Sequence, residues 1–282
     1  MQQEAPARIL HKFLELLNTN RIRSFTSTNN EMSATKGRVL VVGGSSGMGK
    51  AAAIAAARSG YTVHIAGTSA EKLEGARKEI IRESSAAESN VEHSVVDATN
   101  PDSLRQFSLS FSPGSLQHLV VTVGPSASSS TVIGEDGFQS LRRQFDLKFF
   151  AQLGVVSYIA PLLADGGAIV LTSGALAKRP GKGGTALATA NAALDAVVKG
   201  LANDLGPRLR VNTLSPGLVD TEMFDGMPPG AKDAMLRDFG SKIPAGRAGV
   251  PADIGAAVLF LLENSWITGT VLDVDGGAAV RP

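Results

Sequence analysis

The chain has 282 residues, a formal net charge of +1 and 19% charged residues, so no strong field directs it to nucleic acid or to an acidic surface. It contains no cysteine, which excludes disulfides, thiolate nucleophiles and cysteine-ligated metals. Apolar runs such as Val155 to Leu163 fall far short of the roughly 20 residues of a bilayer span, and the length suits one large α/β domain.

Residues 1–36 differ in composition from the rest. Arg8, Lys12, Arg21 and Arg23 surround Phe13-Leu14-Glu15-Leu16-Leu17, and a Ser/Thr/Asn-rich stretch runs from Ser24 to Thr35. They read as a disordered extension, with an organellar targeting segment as the alternative, ahead of a single domain over 37–282. Cytoplasmic placement is expected, with organellar import left open.

Arg38-Val39-Leu40-Val41-Val42 predicts a buried parallel strand, because a strand covered on both faces need not alternate. It runs into Gly43-Gly44-Ser45-Ser46-Gly47-Met48-Gly49-Lys50 and the alanine run Ala51 to Ala57, a strand-turn-helix unit. In this Gly-x-x-x-Gly-x-Gly spacing, Gly43 suits the tight turn, Gly47 lets a pyrophosphate approach the backbone, and Gly49 lets the helix pack on the strand. The free amides at the helix start, in a loop that also holds Ser45, Ser46 and Met48, offer donors and a partial positive charge to phosphate. A dinucleotide is the expected ligand.

Tyr61 to Ala66 is the second predicted strand. At its end Gly67 stands where an acid would bind a ribose 2′-hydroxyl, and the hydroxyls of Thr68 and Ser69 can donate to a 2′-phosphate. That pattern favours NADP, with NAD as the alternative. A helix follows over Ala70 to Glu83, with Leu73, Ala76, Ile80 and Ile81 on one side. Next come a strand over Val91 to Val96 ending in Asp97, a short helix over Asp102 to Leu109, and a strand over His118 to Val123. Phe138 to Leu163 predicts a long helix ended by Pro161 and Gly166-Gly167. Ala168 to Thr172, Arg210 to Leu214 and the segment Thr270 to Gly277 supply three more strands, and Thr185 to Leu205 a second long helix. The alternation predicts a Rossmann-type, doubly wound parallel α/β sheet of about seven strands flanked by helices, with the ligand beyond the carboxyl ends of the strands. The four histidines, His11, His64, His93 and His118, lack ligand spacing and read as surface or strand-end residues.

Over about residues 37 to 280 the chain resembles the short-chain dehydrogenase/reductase family. The Gly43 to Gly49 loop is similar to that family's cofactor signature, with Val42 where a threonine is usual. The resemblance implies that Asp97 contacts the adenine end and that Pro216, Gly217 and Thr221 bracket the nicotinamide. Arg247-Ala248-Gly249-Val250-Pro251, Thr268-Gly269 and Val274-Asp275-Gly276-Gly277 look like its closing segments. It also implies a mobile substrate lid around 222–245, where Met223 and Phe224 suit a partly apolar substrate, and a homodimer or homotetramer built on the two long helices.

The catalytic residues depart from the family. Its Tyr-x-x-x-Lys falls on Leu187 and Asn191, its serine on Gly174, or on Ser173 with a one-residue shift, and its helical asparagine on Asp146. Val121-Thr122-Val123-Gly124 replaces the Asn-Asn-Ala-Gly that supports the sheet. Asp146, Lys148 and Ser173 are therefore the candidate catalytic residues, Lys148 as a proton donor if burial lowers its pKa. Lys178, Arg179 and Lys182 are candidates for binding an anionic substrate. Three functions fit: an atypical NADP-dependent oxidoreductase acting on a small molecule; an iminium reductase or cofactor-assisted cyclase of the Diels–Alder type; and a non-catalytic nucleotide-binding or scaffold protein. No role with nucleic acid, membrane or metal is expected.

Overall fold

The computed structural model describes residues 35–125 and 132–280. Up to Ala34, the extension expected over 1–36 lies outside the described residues.

The strands are β1 (Arg38–Val42), β2 (Thr62–Gly67), β3 (Val91–Val95), β4 (Leu116–Val121), β5 (Leu163–Thr172), β6 (Leu209–Pro216) and β7 (Val271–Val274). The helices are α1 (Gly47–Arg58), α2 (Ala70–Ser84), α3 (Pro101–Ser108), α4 (Gly137–Gln144), α5 (Ala151–Ile159), α6 (Thr185–Leu205), α7 (Ala231–Gly240) and α8 (Pro251–Glu263). The sheet order is β3-β2-β1-β4-β5-β6-β7 and every pairing is parallel. The order reverses between β1 and β4, which opens the ligand crevice beyond their carboxyl ends.

The unbroken apolar runs of the central strands follow from burial on both faces. Leu40, Val42, Leu119, Val121, Ile169 and Leu171 pack on one side with Val155, Ile159, Leu194 and Val198 of α5 and α6. Val39, Val41, Val120 and Val170 pack on the other with Ala53 and Ala56 of α1 and Ile254 and Val258 of α8. Small residues bring α1 and α8 close: a Cβ on Gly255 would lie 2.7 Å from the Ala51 carbonyl oxygen.

The structure departs from the sequence expectations in three places. The long helix expected over Phe138 to Leu163 is interrupted by a π turn, Phe145–Phe150, and ends at Ile159 before a 3-10 turn containing Pro161. Helices α7 and α8 form where the sequence reading places only a lid and closing segments, although Pro251 opens α8 and the Asp253 carboxylate accepts from the Val250 N–H at 2.9 Å, both signals of a helix start. His64 and His118 are buried within the sheet rather than at its surface. His118 Nδ1 accepts from the Ala168 N–H at 3.0 Å, and burial pushes its pKa down to about 4.

Candidate active site

The glycine loop leaves β1 through Gly43, whose φ of 93° only glycine adopts readily. A Cβ on Gly43 would lie 2.4 Å from Thr122 Oγ1, and one on Gly49 would lie 2.1 Å from the Gly43 carbonyl oxygen. These contacts are the close helix-strand packing that the third glycine of the motif permits. The helix ladder starts with the Lys50 N–H to the Ser46 carbonyl at 3.1 Å, so the amides of Gly47, Met48 and Gly49 stand free of it. Ser46 caps α1 in extended conformation without using its side chain.

The other expected cofactor residues surround this cradle. Ser45 Oγ faces the end of β2, 3.5 Å from a Cβ placed on Gly67, and Thr68 beyond it is exposed. Ser69 caps α2, its hydroxyl accepting from the Lys72 N–H at 3.3 Å. The Asp97 carboxylate accepts from the N–H and hydroxyl of Thr99 at 2.9 and 2.7 Å, which holds its pKa down. After β6, Gly217 lies so close to β7 that a Cβ would sit 2.9 Å from Asp275 Cα, and its N–H donates to the Val274 carbonyl at 3.1 Å. This pins the loop from Pro216 to Thr221 over α1, with the Thr221 methyl 3.1 Å from a Cβ on Gly47. The residues present fit a dinucleotide: free amides at a helix start, glycines where the backbone must be approached, and a carboxylate, Glu222, already drawn to the Gly47 N–H at 2.8 Å.

Beyond β4 and β5 the structure places Lys148 and Ser173 each against Asp195 and leaves Asp146 exposed. The π turn directs Lys148 inward; its side chain is buried, with Nζ 3.2 Å from a Cβ placed on Gly124. Burial pushes its pKa down to about 8, against a pull upward from Asp195. The hydroxyl of Ser173 is hydrogen-bonded to Asp195, whose pKa burial raises. Asn191 presses its amide nitrogen to within 2.9 Å of a Cβ on Gly174, so a serine there would collide with it. Asp146 is exposed and lines a separate cleft of about 530 Å³ with Thr99, Arg143 and Tyr158. Lys178 makes a short ion pair with Asp273; Lys182 is exposed.

Two residues of this region escaped the sequence reading. Asp195 carries a faint signal, an acid one turn after Asn191 on an otherwise apolar helix face. Gln152 carries none, since a glutamine on a helix is ordinary. Its fully buried amide nitrogen donates to the carbonyls of Val123 and Thr172 at 3.0 and 2.8 Å, and its oxygen accepts from the Thr172 N–H at 3.0 Å. It clips β4 to β5 where the supporting asparagines are missing.

Comparison with known proteins agrees with this architecture. The family model described as enoyl-(acyl carrier protein) reductase matches residues 42–279. A short-chain dehydrogenase/reductase, ATR9, from Stachybotrys chlorohalonatus is 34% identical over 252 residues, covering 86% of this chain and 97% of that protein. The chain belongs to the short-chain dehydrogenase/reductase family. Membership makes it an NAD(P)-dependent oxidoreductase of short-chain type. Among solved structures, a small-chain dehydrogenase in complex with NADPH matches with a TM-score of 0.69 and 32% identity, covering 87% of this chain and 99% of that one. The MalC reductase/Diels-Alderase of Malbranchea aurantiaca matches with a TM-score of 0.75 and 25% identity, covering 88% and 97%. Among the described residues no helix is long and apolar enough to cross a membrane, and no cluster of three metal ligands occurs.

Proposed function

We propose that this chain is an atypical NADP(H)-dependent short-chain oxidoreductase acting on a small, partly apolar substrate, with Lys148 in the place of the usual tyrosine and lysine. The observation that carries this reading is a buried lysine whose Nζ lies 3.2 Å from a Cβ placed on Gly124, just past β4, and which is drawn to Asp195, the partner of Ser173; burial pushes its pKa down to about 8. Gly43, Ser45, Ser46, Gly47, Met48 and Gly49 would hold the pyrophosphate side, Thr68, Ser69 and Asp97 the adenosine side, and Pro216, Gly217 and Thr221 the nicotinamide side. When bound, NADPH supplies the two-electron reductant for the substrate carbon.

The protein's own part is to place and protonate. Lys148 Nζ, protonated near neutral pH, donates a proton to the oxygen that becomes a hydroxyl. Asp195 attracts the ammonium form and thereby holds the proton on Nζ until it is needed. Ser173 hydrogen-bonds Asp195 and fixes its carboxyl. Asp146, exposed in its own cleft, takes no part. NADP over NAD is supported by Gly67 at the end of β2, by the hydroxyls of Ser45, Thr68 and Ser69 nearby, and by the NADPH-bound relative. Exposed Phe138 and Phe150 beside the π turn support a homo-oligomer.

A second reading is favoured by the likeness to the reductase/Diels-Alderase: an iminium reductase or cofactor-assisted cyclase, in which no oxygen needs a proton and Asp195 steadies a cation. The pH profile separates the two. With a carbonyl substrate, kcat/KM falls as pH rises through about 8, and Lys148→Met lowers it by about 10²- to 10⁴-fold with NADPH affinity kept. Carbonyl reduction that survives Lys148→Met with an unchanged pH profile would remove Lys148 from the mechanism.

A further inference from the structure

Glu222 follows Thr221 directly in the loop after β6. One carboxylate oxygen accepts from the Gly47 N–H at 2.8 Å, and the other accepts from Lys50 Nζ at 2.7 Å. The Gly47 amide is one of the three at the start of α1 that the helix itself does not use. An anion at that place gains a hydrogen bond and the favourable end of the helix dipole, which is also what a phosphate oxygen gains there. The contact is aimed rather than incidental. Lys50 is only 16% exposed at its side chain and is braced from behind by Glu79 at 2.8 Å, so its ammonium has little freedom to release Glu222.

The same segment is tied to the lid on its other side. Lys232, in the first turn of α7, pairs with Asp220 at 2.7 Å and with Asp225 at 2.8 Å, one residue on either side of the turn that carries Glu222. Gly47, Lys50, Thr221, Glu222, Asp225 and Lys232 thus line one cleft of about 280 Å³. Any motion that withdraws the Glu222 carboxylate from α1 pulls on the base of α7.

We infer that Glu222 is an internal competitor for the cofactor's phosphate: its carboxylate and the pyrophosphate cannot both take the Gly47 amide, so cofactor entry displaces Glu222 and moves the 222–240 segment. This rests on the reading that the Gly43–Gly49 loop receives the pyrophosphate. The competition lowers cofactor affinity and links cofactor binding to the position of the lid.

The test is calorimetric titration of the full chain with NADPH, compared for the native protein, Glu222→Gln and Glu222→Ala, with circular dichroism confirming that each is folded. Both variants are expected to bind NADPH about 5- to 30-fold more tightly, the range a carboxylate at a helix start can contribute. Hydrogen exchange over 222–240 is expected to accelerate on NADPH addition in the native protein and to change less in the variants. Equal or weaker binding in both variants, with exchange over 222–240 unaltered by NADPH, overturns the competition and leaves the cofactor loop standing. Absence of binding in all three folded proteins overturns both.

Discussion

Replacing Lys148 by methionine is expected to stabilise the protein while removing its proposed proton donor, a combination that a merely structural lysine would not show. Burial moves the Lys148 pKa from 10.5 down to about 8. That lowering corresponds to about 3 kcal/mol, the cost of holding the ammonium form inside the fold at pH 7. Methionine has similar length and no charge to desolvate, so the variant regains most of that cost, less the lost attraction to Asp195. A net gain of about 1–3 kcal/mol is expected from urea unfolding at pH 7. The sign with pH follows from linkage. Between about 8 and 10.5 the unfolded chain still binds the lysine proton that the folded chain has released, so native stability rises with pH over this window. The advantage of Lys148→Met therefore shrinks above pH 8 and vanishes near 10.5. Unfolding curves at pH 7, 8.5 and 10 measure this directly. A variant less stable than the native protein at pH 7, or a difference constant across the three values, would refute a buried, destabilised ammonium.

Gln152→Leu removes the clip between β4 and β5 and takes the side-chain partner from two buried backbone groups of Thr172 and the partly buried carbonyl of Val123. At about 1–3 kcal/mol for each such group, and less than their sum, a loss of about 3–5 kcal/mol is expected in urea unfolding; a loss below about 1 kcal/mol would show that the clip is dispensable. His118, neutral in the sheet with a pKa near 4, makes the fold acid-sensitive earlier than its carboxylates alone would. The unfolded chain protonates this histidine below about 6.5 while the folded chain does not, so stability falls by up to about 3 kcal/mol between pH 6.5 and 4 and then levels. His118→Asn is expected to flatten that part of the stability profile, and an unchanged slope would count against the assignment. Gly49→Ala places a Cβ 2.1 Å from a backbone oxygen, so α1 must shift and NADPH binding by calorimetry is expected to be lost or sharply weakened.

Much of this protein was legible from local sequence. The runs Val39 to Val42 and Ile169 to Leu171 announce strands covered on both faces, and the glycine spacing from Gly43 to Gly49 announces a tight turn into a helix; each depends only on residues adjacent in the chain. The absence of a Tyr-x-x-x-Lys spacing from α6 is likewise a plain fact of sequence, with Leu187 and Asn191 at those positions.

The residues proposed to take their place come from the tertiary structure. The resemblance puts Asp146 at the asparagine position of the long helix, yet Asp146 is exposed and Lys148 buried. Residues two apart on a helix lie about 200° apart, so only one of them can face the sheet, and the packing of the π turn on the domain decides which. Asp195 and Gln152 reach the proposed site only because α6 and α5 are packed against the sheet. Glu222 reaches an amide 175 positions away. Such contacts depend on how remote segments are brought together by the sheet, and no local period or motif encodes them.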